Sequence, residues 1–193
     1  MPHPFESFRY CPKCGSDKFV VNNEKSKRCD VCGFVYYFNI SAAVAAFIYD
    51  KDGRLLVVRR AKDPAKGSLD LPGGFVDANE TAEQAIRREI REETGLQVQK
   101  IRYMFSLPNI YTYSNFNVHT LDLFYETEIQ NTSALCASDD AAEVLWYSPE
   151  NLQAEWFGLD SIRKAIRLIS NVCRDEIRDV ADVLLADALP TLQ

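Results

Sequence analysis

Apolar residues come in short runs along this chain, and the runs change period from strand-like to helix-like and back. The longest, Ala42 to Tyr49, has eight residues, the length of a buried strand and far short of a bilayer span. Asp50-Lys-Asp-Gly53 then reads as a hairpin turn and Arg54 to Arg60 as the partner strand. A long loop through Pro64 and Gly67 leads to Leu71. Val98 to Leu107 and Val118 to Ile129 are further strands. The second sets Val118, Thr120, Asp122 and Phe124 against His119, Leu121, Leu123 and Tyr125. Glu143 to Tyr147 is a short strand and Pro149 to Leu152 a turn. Helical spacing follows, first over Leu159 to Val172, then over Asp175 to Leu189 with Ile177, Val180, Val183, Leu184 and Leu185. No internal repeat or low-complexity tract interrupts the pattern.

One helix is framed by its own end signals. Thr81-Ala-Glu-Gln84 is a capping box and Gly95 a helix stop, which gives about fourteen residues between them. Glu89, Glu92 and Glu93 are three and four apart, so their carboxylates share one narrow arc. Ile86 and Ile90 mark the neighbouring arc as buried, while Gln84, Arg87 and Arg91 point to water. Crowded anions at a core edge resist ionisation unless a cation neutralises them, and an all-oxygen set suits magnesium or manganese. A plain solvated face, with Arg88 paired to Glu92 and Glu83 to Arg87, is the competing reading. Leu71-Pro-Gly-Gly-Phe-Val76 weighs against it, because two glycines let the backbone come close to a metal or phosphate.

The whole run from Gly74 to Leu96, GFVDANETAEQAIRREIREETGL, resembles a Nudix box with every demanded position filled. The resemblance implies an α/β/α sandwich with a mixed sheet, and hydrolysis of a nucleoside diphosphate linked to another group. It implies that Glu89, Glu92, Glu93 and the Gly74 carbonyl hold the cations, that Arg88 orients a neighbouring carboxylate, and that Glu80 supports them. The general base is Glu92 or Glu93. Some members of the family place it in a later loop, where Asp139, Asp140 and Glu143 stand here.

A second constellation lies near the N-terminus: Cys11-Pro-Lys-Cys14-Gly15 and Cys29-Asp-Val-Cys32-Gly33, fourteen residues apart. Paired Cys-x-x-Cys knuckles at this spacing form a closed zinc site, structural rather than catalytic. A pair of disulfides is disfavoured, since no signal peptide precedes the cysteines and six in 193 residues is not disulfide density. Cys136 and Cys173 are then unpaired thiols. The expected organisation is a zinc ribbon over residues 1–38 and a hydrolase domain over 39–193, for which 47% hydrophobic content supplies a core.

A ribbon with Arg9, Lys13, Lys18 and Arg28 among Phe8, Tyr10, Phe19 and Phe34 has the makeup of a single-strand binder. The net charge of -6 and the acidic residues Glu6, Asp17, Glu24 and Asp30 argue against generic nucleic-acid affinity. A small nucleotide is the expected partner. Without a span or signal, a cytoplasmic enzyme with no membrane partner is expected, and the C-terminal helix offers a surface for a homodimer.

Ribbon followed by Nudix domain resembles the bacterial NADH pyrophosphatase group over roughly residues 9–150. That group carries a Ser-Gln-Pro-Trp-Pro-Phe-Pro stretch where this chain has Phe105-Ser-Leu-Pro-Asn-Ile-Tyr-Thr-Tyr-Ser-Asn-Phe116, so NADH is not singled out. Tyr111 and Tyr113, on a loop begun by Pro108, are candidate base contacts. Arg59, Arg60 and Glu143 are candidate substrate contacts, with at most one of the two arginines facing a diphosphate because strand neighbours point to opposite sides. His119 reads as a core or edge residue. Two function classes stay open: a metal-dependent pyrophosphohydrolase acting on ADP-ribose, NAD(H), FAD or a similar compound, and a nucleotide-sensing or RNA-binding, decapping Nudix protein.

Overall fold

The computed structural model of the chain describes residues 7–129, 135–137 and 141–171. The helix expected over Asp175 to Leu189, Cys173, Asp139 and Asp140 lie outside the described residues. The chain forms two compact units, Met1–Ile40 and Ser41–Gln193.

In the first unit β1 (Phe19–Asn23), β2 (Ser26–Cys29) and β3 (Val35–Tyr37) form an antiparallel sheet in that order. Each cysteine knuckle closes through its glycine: Gly15 N–H donates to Cys11 O at 2.8 Å and Gly33 N–H to Cys29 O at 2.9 Å. Both glycines have left-handed φ, 74° and 71°, which a side chain would strain. Cys11, Phe19 and Cys29 are buried, with Cys32, Phe34 and Tyr36 packed on them. So small a cluster is a thin core for a unit of this size, which is where a metal normally helps.

The second unit orders as β4 (Ser41–Ile48), β5 (Leu55–Arg60), β6 (Leu69–Asp70), β7 (Gly73–Phe75), α1 (Ala82–Thr94), β8 (Val98–Tyr113), β9 (Phe116–Ile129), β10 (Ala141–Tyr147) and α2 (Asp160–Asn171), with 3-10 turns at Pro149–Asn151 and Ala154–Trp156. One sheet runs β7-β4-β9-β8, mixed because β4 and β9 are parallel; the other runs β10-β5-β6 and is antiparallel. β4 explains its own composition. Val44, Ala46 and Ile48 pack with Ala85, Ile86 and Ile90 of α1, whereas Ala45 and Phe47 pack with Ile162, Ala165 and Ile166 of α2. A strand buried on both faces has no polar side, hence the unbroken apolar run. The two helices therefore sandwich the sheet layer. On the α2 side Phe124 stacks on Phe105 at 5.0 Å and on Phe47 at 5.9 Å.

Two expectations about this region need correction. The segment after Pro108 is not a loop: β8 continues to Tyr113, paired residue by residue with β9 as far as Tyr113 and Phe116. Pro108 is tolerated because β8 is the edge strand of its sheet, so its missing N–H breaks no central ladder. Ser114 and Asn115, with φ of 49° and 60°, turn the hairpin in two residues. The loop expected through Pro64 and Gly67 as far as Leu71 ends in the short strand β6. No helix among the described residues is long and apolar enough to cross a membrane.

Candidate active site

The acidic helix is fixed at both ends by the residues that framed it in the sequence. Thr81 Oγ1 accepts from Gln84 N–H at 3.2 Å while Gln84 Oε1 accepts from Thr81 N–H at 2.8 Å. Gly95, at φ 71°, closes the C-terminus with its N–H on Arg91 O. In front of the helix, β7 pairs with β4, placing Gly73 opposite Ala45 and Gly74 opposite Val44. Both glycines are required by close approach. A Cβ on Gly73 would lie 2.0 Å from Val44 O, and one on Gly74 2.4 Å from Glu89 Oε1. The Glu89 carboxylate thus occupies the space that a side chain at position 74 would take.

Arg88 organises the carboxylates. Its Nε and Nη2 grip Glu80 at 2.9 and 2.8 Å, its Nη1 donates to Glu89 at 2.7 Å and Glu92 at 3.2 Å, and Nη2 also reaches Phe75 O at 3.0 Å. The hydrogen bonds that Arg88 donates to Glu80, then to Glu89 and Glu92, raise the Arg88 pKa and hold Glu80 below the usual carboxylate range. Glu93 is buried and accepts from Gly73 N–H at 3.1 Å. The helix therefore presents its carboxylates to the glycine turn, with one cation offsetting their repulsion. Of the two pairs in the competing solvated-face reading, Arg88 does reach Glu92, whereas Glu83 accepts from Tyr125 OH and Arg87 donates to Val98 O.

A cavity of about 450 Å³ opens before these groups, lined by Gly74, Arg88, Glu89, Glu92 and Glu93 at one end. Arg60, Tyr111 and Tyr113 line it too. Arg59 and Glu143 do not. They pair with each other at 2.8 Å, and Arg59 also donates to Gly67 O. Strand alternation is the reason: Val58 and Arg60 of β5 face the cavity, so Arg59 faces away. His119 is likewise absent from the lining. Arg60 is largely engaged, donating to Pro64 O at 2.7 Å, Asp70 at 2.6 Å and Tyr111 OH at 3.2 Å.

Several lining residues carried no recognised signal in the sequence. Asp70 is buried, and burial lifts its carboxyl above the usual range against the pull of Arg60 and the Leu71 N–H. Asp122, also buried, accepts from Asn109 Nδ2 at 3.0 Å and from the Thr120 and Ser161 hydroxyls at 2.5 Å each. The hint was present in β9: an aspartate between Leu121 and Leu123 is expensive to bury unless donors surround it.

In the first unit the Cys11, Cys14, Cys29 and Cys32 sulfurs all lie within 4.8 Å of one another, the only such convergence of metal-ligating side chains among the described residues. Cys11 and Cys32 are 3.7 Å apart and Cys14 and Cys29 3.6 Å, too far for disulfides. Tetrahedral arms of about 2.3 Å give edges of about 3.8 Å, so the spacing is that of a zinc site. The Cys32 backbone N–H helps to pull the Cys29 thiol down to about 6, while the Cys14 thiol, against a hydrogen bond from the Ser16 backbone N–H, is pushed up to about 12 by the neighbouring sulfurs, the mutual effect of crowded thiols that a bound cation would relieve.

A mixed sheet between helices, with an acidic helix set against a glycine turn, defines an α/β/α sandwich with a carboxylate-lined cavity. The family model for the NUDIX domain matches residues 40–168, and the chain belongs to that family. It is 32% identical over 183 residues to the NAD-capped RNA hydrolase NudC of Chromobacterium violaceum, covering 91% of this chain and 62% of that protein. The NudC of Vibrio parahaemolyticus is 29% identical, with 54% of its length spanned, so the chain spans little more than half of these relatives. The ADP-ribose pyrophosphatase of Methanocaldococcus jannaschii is 34% identical over 140 residues, covering 72% of this chain and 79% of that protein. A NUDIX hydrolase from Nitrosomonas europaea shares the fold at TM-score 0.64 and 20% identity, over 84% of this chain and 90% of that one.

Proposed function

We propose that the chain is a pyrophosphohydrolase that uses magnesium or manganese to split the phosphoanhydride of a nucleoside diphosphate joined to another group, such as ADP-ribose, NAD(H) or FAD. The observation that carries this reading is the meeting of Glu89, Glu92, Glu93 and the Gly73-Gly74 turn on the wall of one open cavity. The donor set fits a hard divalent cation, being carboxylate and carbonyl oxygen, with a glycine where a side chain would displace a ligand. Glu89, Glu92, Glu93 and the Gly74 carbonyl are the residues to hold it. When bound, the cation neutralises phosphate oxygens and lowers the pKa of the attacking water.

Arg88 fixes Glu80, Glu89 and Glu92 in register before substrate arrives, so little reorganisation remains for the reaction. Glu93 is tied to the turn, whereas the Glu92 side chain is 39% exposed, making Glu92 the carboxylate better placed to take the water's proton. The water oxygen forms the new bond to phosphorus, the bond from phosphorus to the bridging oxygen breaks, and its electron pair leaves with the departing phosphate. At the ribbon, zinc on the four thiolates would leave no open position and act as a prop.

The test is a panel of ADP-ribose, NADH, NAD, FAD, diadenosine polyphosphates and nucleoside triphosphates with magnesium or manganese, scored by released AMP or phosphate. Turnover of a diphosphate-linked nucleoside supports the enzyme; tight binding without turnover of any compound supports a sensor. An NAD-capped RNA end is a second reading, favoured by the activity named for the Chromobacterium violaceum relative and by the exposed basic residues Arg9, Lys13, Lys18, Lys25 and Arg28 of the ribbon. Faster cleavage of capped RNA than of free NAD would select it.

A further inference from the structure

Between β5 and β6 the chain runs through residues 61–68, all exposed or half-buried and yet tied down along the whole length. The ends close on each other, Arg60 N–H donating to Ser68 O at 3.0 Å and Gly67 N–H to Arg60 O at 2.9 Å. Inside the loop the Ser68 N–H and hydroxyl both donate to Ala65 O, at 3.1 and 2.6 Å. From β5, Arg60 Nε donates to Pro64 O at 2.7 Å and Arg59 Nη1 to Gly67 O at 2.9 Å. A loop held at so many points lacks the freedom that exposed loops ordinarily keep.

Behind the loop stands Gly158. Its N–H donates to Leu69 O at 3.4 Å, and a Cβ there would lie 2.2 Å from Ala65 Cβ and 2.3 Å from Ser68 Oγ, so the backbone leading into α2 presses directly on the loop. Ala65 itself has φ 63°, a left-handed conformation that is unfavourable for a residue with a side chain. Of residues 61–68 only Lys62 and Asp63 line the cavity. Both are exposed, within reach of a molecule held there, and no group among the described residues pairs with the Asp63 carboxylate. Anchoring and local strain thus serve to present two polar side chains at a fixed place on the cavity wall.

We propose that Asp63 is a specificity-determining residue whose carboxylate accepts hydrogen bonds from the hydroxyls of a ribose in the substrate, and that Gly158 is the positioning residue that holds its loop in place. This rests on the pyrophosphohydrolase reading above. The two oxygens of a carboxylate match a vicinal diol, each accepting from one hydroxyl, and hydrogen bonds to a charged acceptor are among the stronger ones. A carboxylate standing alone would repel a diphosphate, but Lys62 beside it supplies the opposite charge on the same wall. A ribose adjoins the diphosphate on each side of ADP-ribose, so a diol lies close to the group that the acidic end would hold.

Two comparisons separate the riboses: ADP-ribose against its 2′-deoxy form on the adenosine side, and against the form lacking the 2-hydroxyl of the terminal ribose. The wild-type protein is expected to prefer ADP-ribose in one of them by about tenfold or more in kcat/KM. Asp63→Ala, a change at an exposed position, should bring that ratio close to one. Gly158→Ala should narrow it by pushing the loop aside, and Ala65→Gly in the same chain should restore it, because the nearest atom is removed and φ 63° suits glycine. A merely structural glycine would change thermal stability and leave the ratio alone. Equal kcat/KM on all three compounds for the wild-type protein overturns the inference while leaving the hydrolase reading intact, and so does a preference retained by Asp63→Ala. An unchanged ratio in folded Gly158→Ala removes the positioning role. Absence of turnover on all three compounds removes the hydrolase reading and this one together.

Discussion

Adjacent glycines at positions 73 and 74 should fail in opposite ways when given a methyl group. At Gly74 the new Cβ meets the Glu89 carboxylate, 2.4 Å from Oε1 and 2.6 Å from Cδ, and nothing nearer in the backbone. The end of a glutamate side chain can swing aside, and reaching an ordinary contact of 3.4 Å takes about 1 Å of movement. The fold loses little, but a catalytic carboxylate displaced by about 1 Å costs roughly a hundredfold in rate. At Gly73 the Cβ meets backbone instead, 2.0 Å from Val44 O and 2.9 Å from Ala45 Cα. The β4–β7 pairing must then separate, an overpacking cost of about 1–3 kcal/mol or more. Gly74→Ala is therefore expected to keep its melting temperature and lose about two orders of magnitude in kcat on ADP-ribose. Gly73→Ala should melt several degrees lower, about 2–4 °C for each kcal/mol. Thermal unfolding and steady-state phosphate release on the same preparations decide the matter. Wild-type kcat in Gly74→Ala refutes the placing of the turn against the helix, and wild-type stability in Gly73→Ala refutes its placing against β4.

Glu92→Gln and Glu93→Gln should each lower kcat by about a hundredfold or more with circular dichroism unchanged, the scale for losing a metal ligand or a general base; full activity in both would contradict the assignment. Arg88→Leu should weaken the fold most at neutral pH. Glu80 is held below its usual pKa by Arg88, so the stability this gives is present above the unfolded value of about 4.3 and is lost as pH falls through the folded one. Urea unfolding from pH 7 to 3 should show the gap to wild type closing on the acid side, and a constant gap would count against the pairing. Cys11→Ser should abolish zinc retention measured by elemental analysis and expose residues 1–40 to proteolysis before it lowers hydrolysis. Intact resistance without metal would show that the thiols are no prop.

What could be read from the sequence is what is built from near neighbours. The capping pair Thr81 and Gln84 spans one helical turn, and the glutamates of α1 need only the 3.6-residue period to share a face. Each cysteine knuckle is likewise a local turn closed by its own glycine. Other positions depend on partners far along the chain. Strand alternation says that Arg59 and Arg60 oppose each other, but which one faces the cavity is set by Asp70 and Tyr111, supplied from β6 and β8. Pro108 signals a break only while the edge position of β8 is unknown. Asp122 is intelligible once Asn109 and Ser161 arrive from β8 and α2 to donate to it.

The same division runs through the cavity itself. Its acidic end comes mostly from one helix and one turn, so a single continuous stretch of sequence specifies it. Its far end draws Arg60, Asp70, Asn109 and Asp122 singly from β5, β6, β8 and β9, each of which can change without disturbing the helix. Phosphoanhydride chemistry needs the first end in fixed form, whereas the choice of the group carried by the diphosphate falls to the second. Proteins bearing the names ADP-ribose pyrophosphatase and NAD-capped RNA hydrolase can both resemble this chain for that reason, and on the proposed reading discrimination between their substrates is to be sought at the far end of the cavity rather than in the acidic helix.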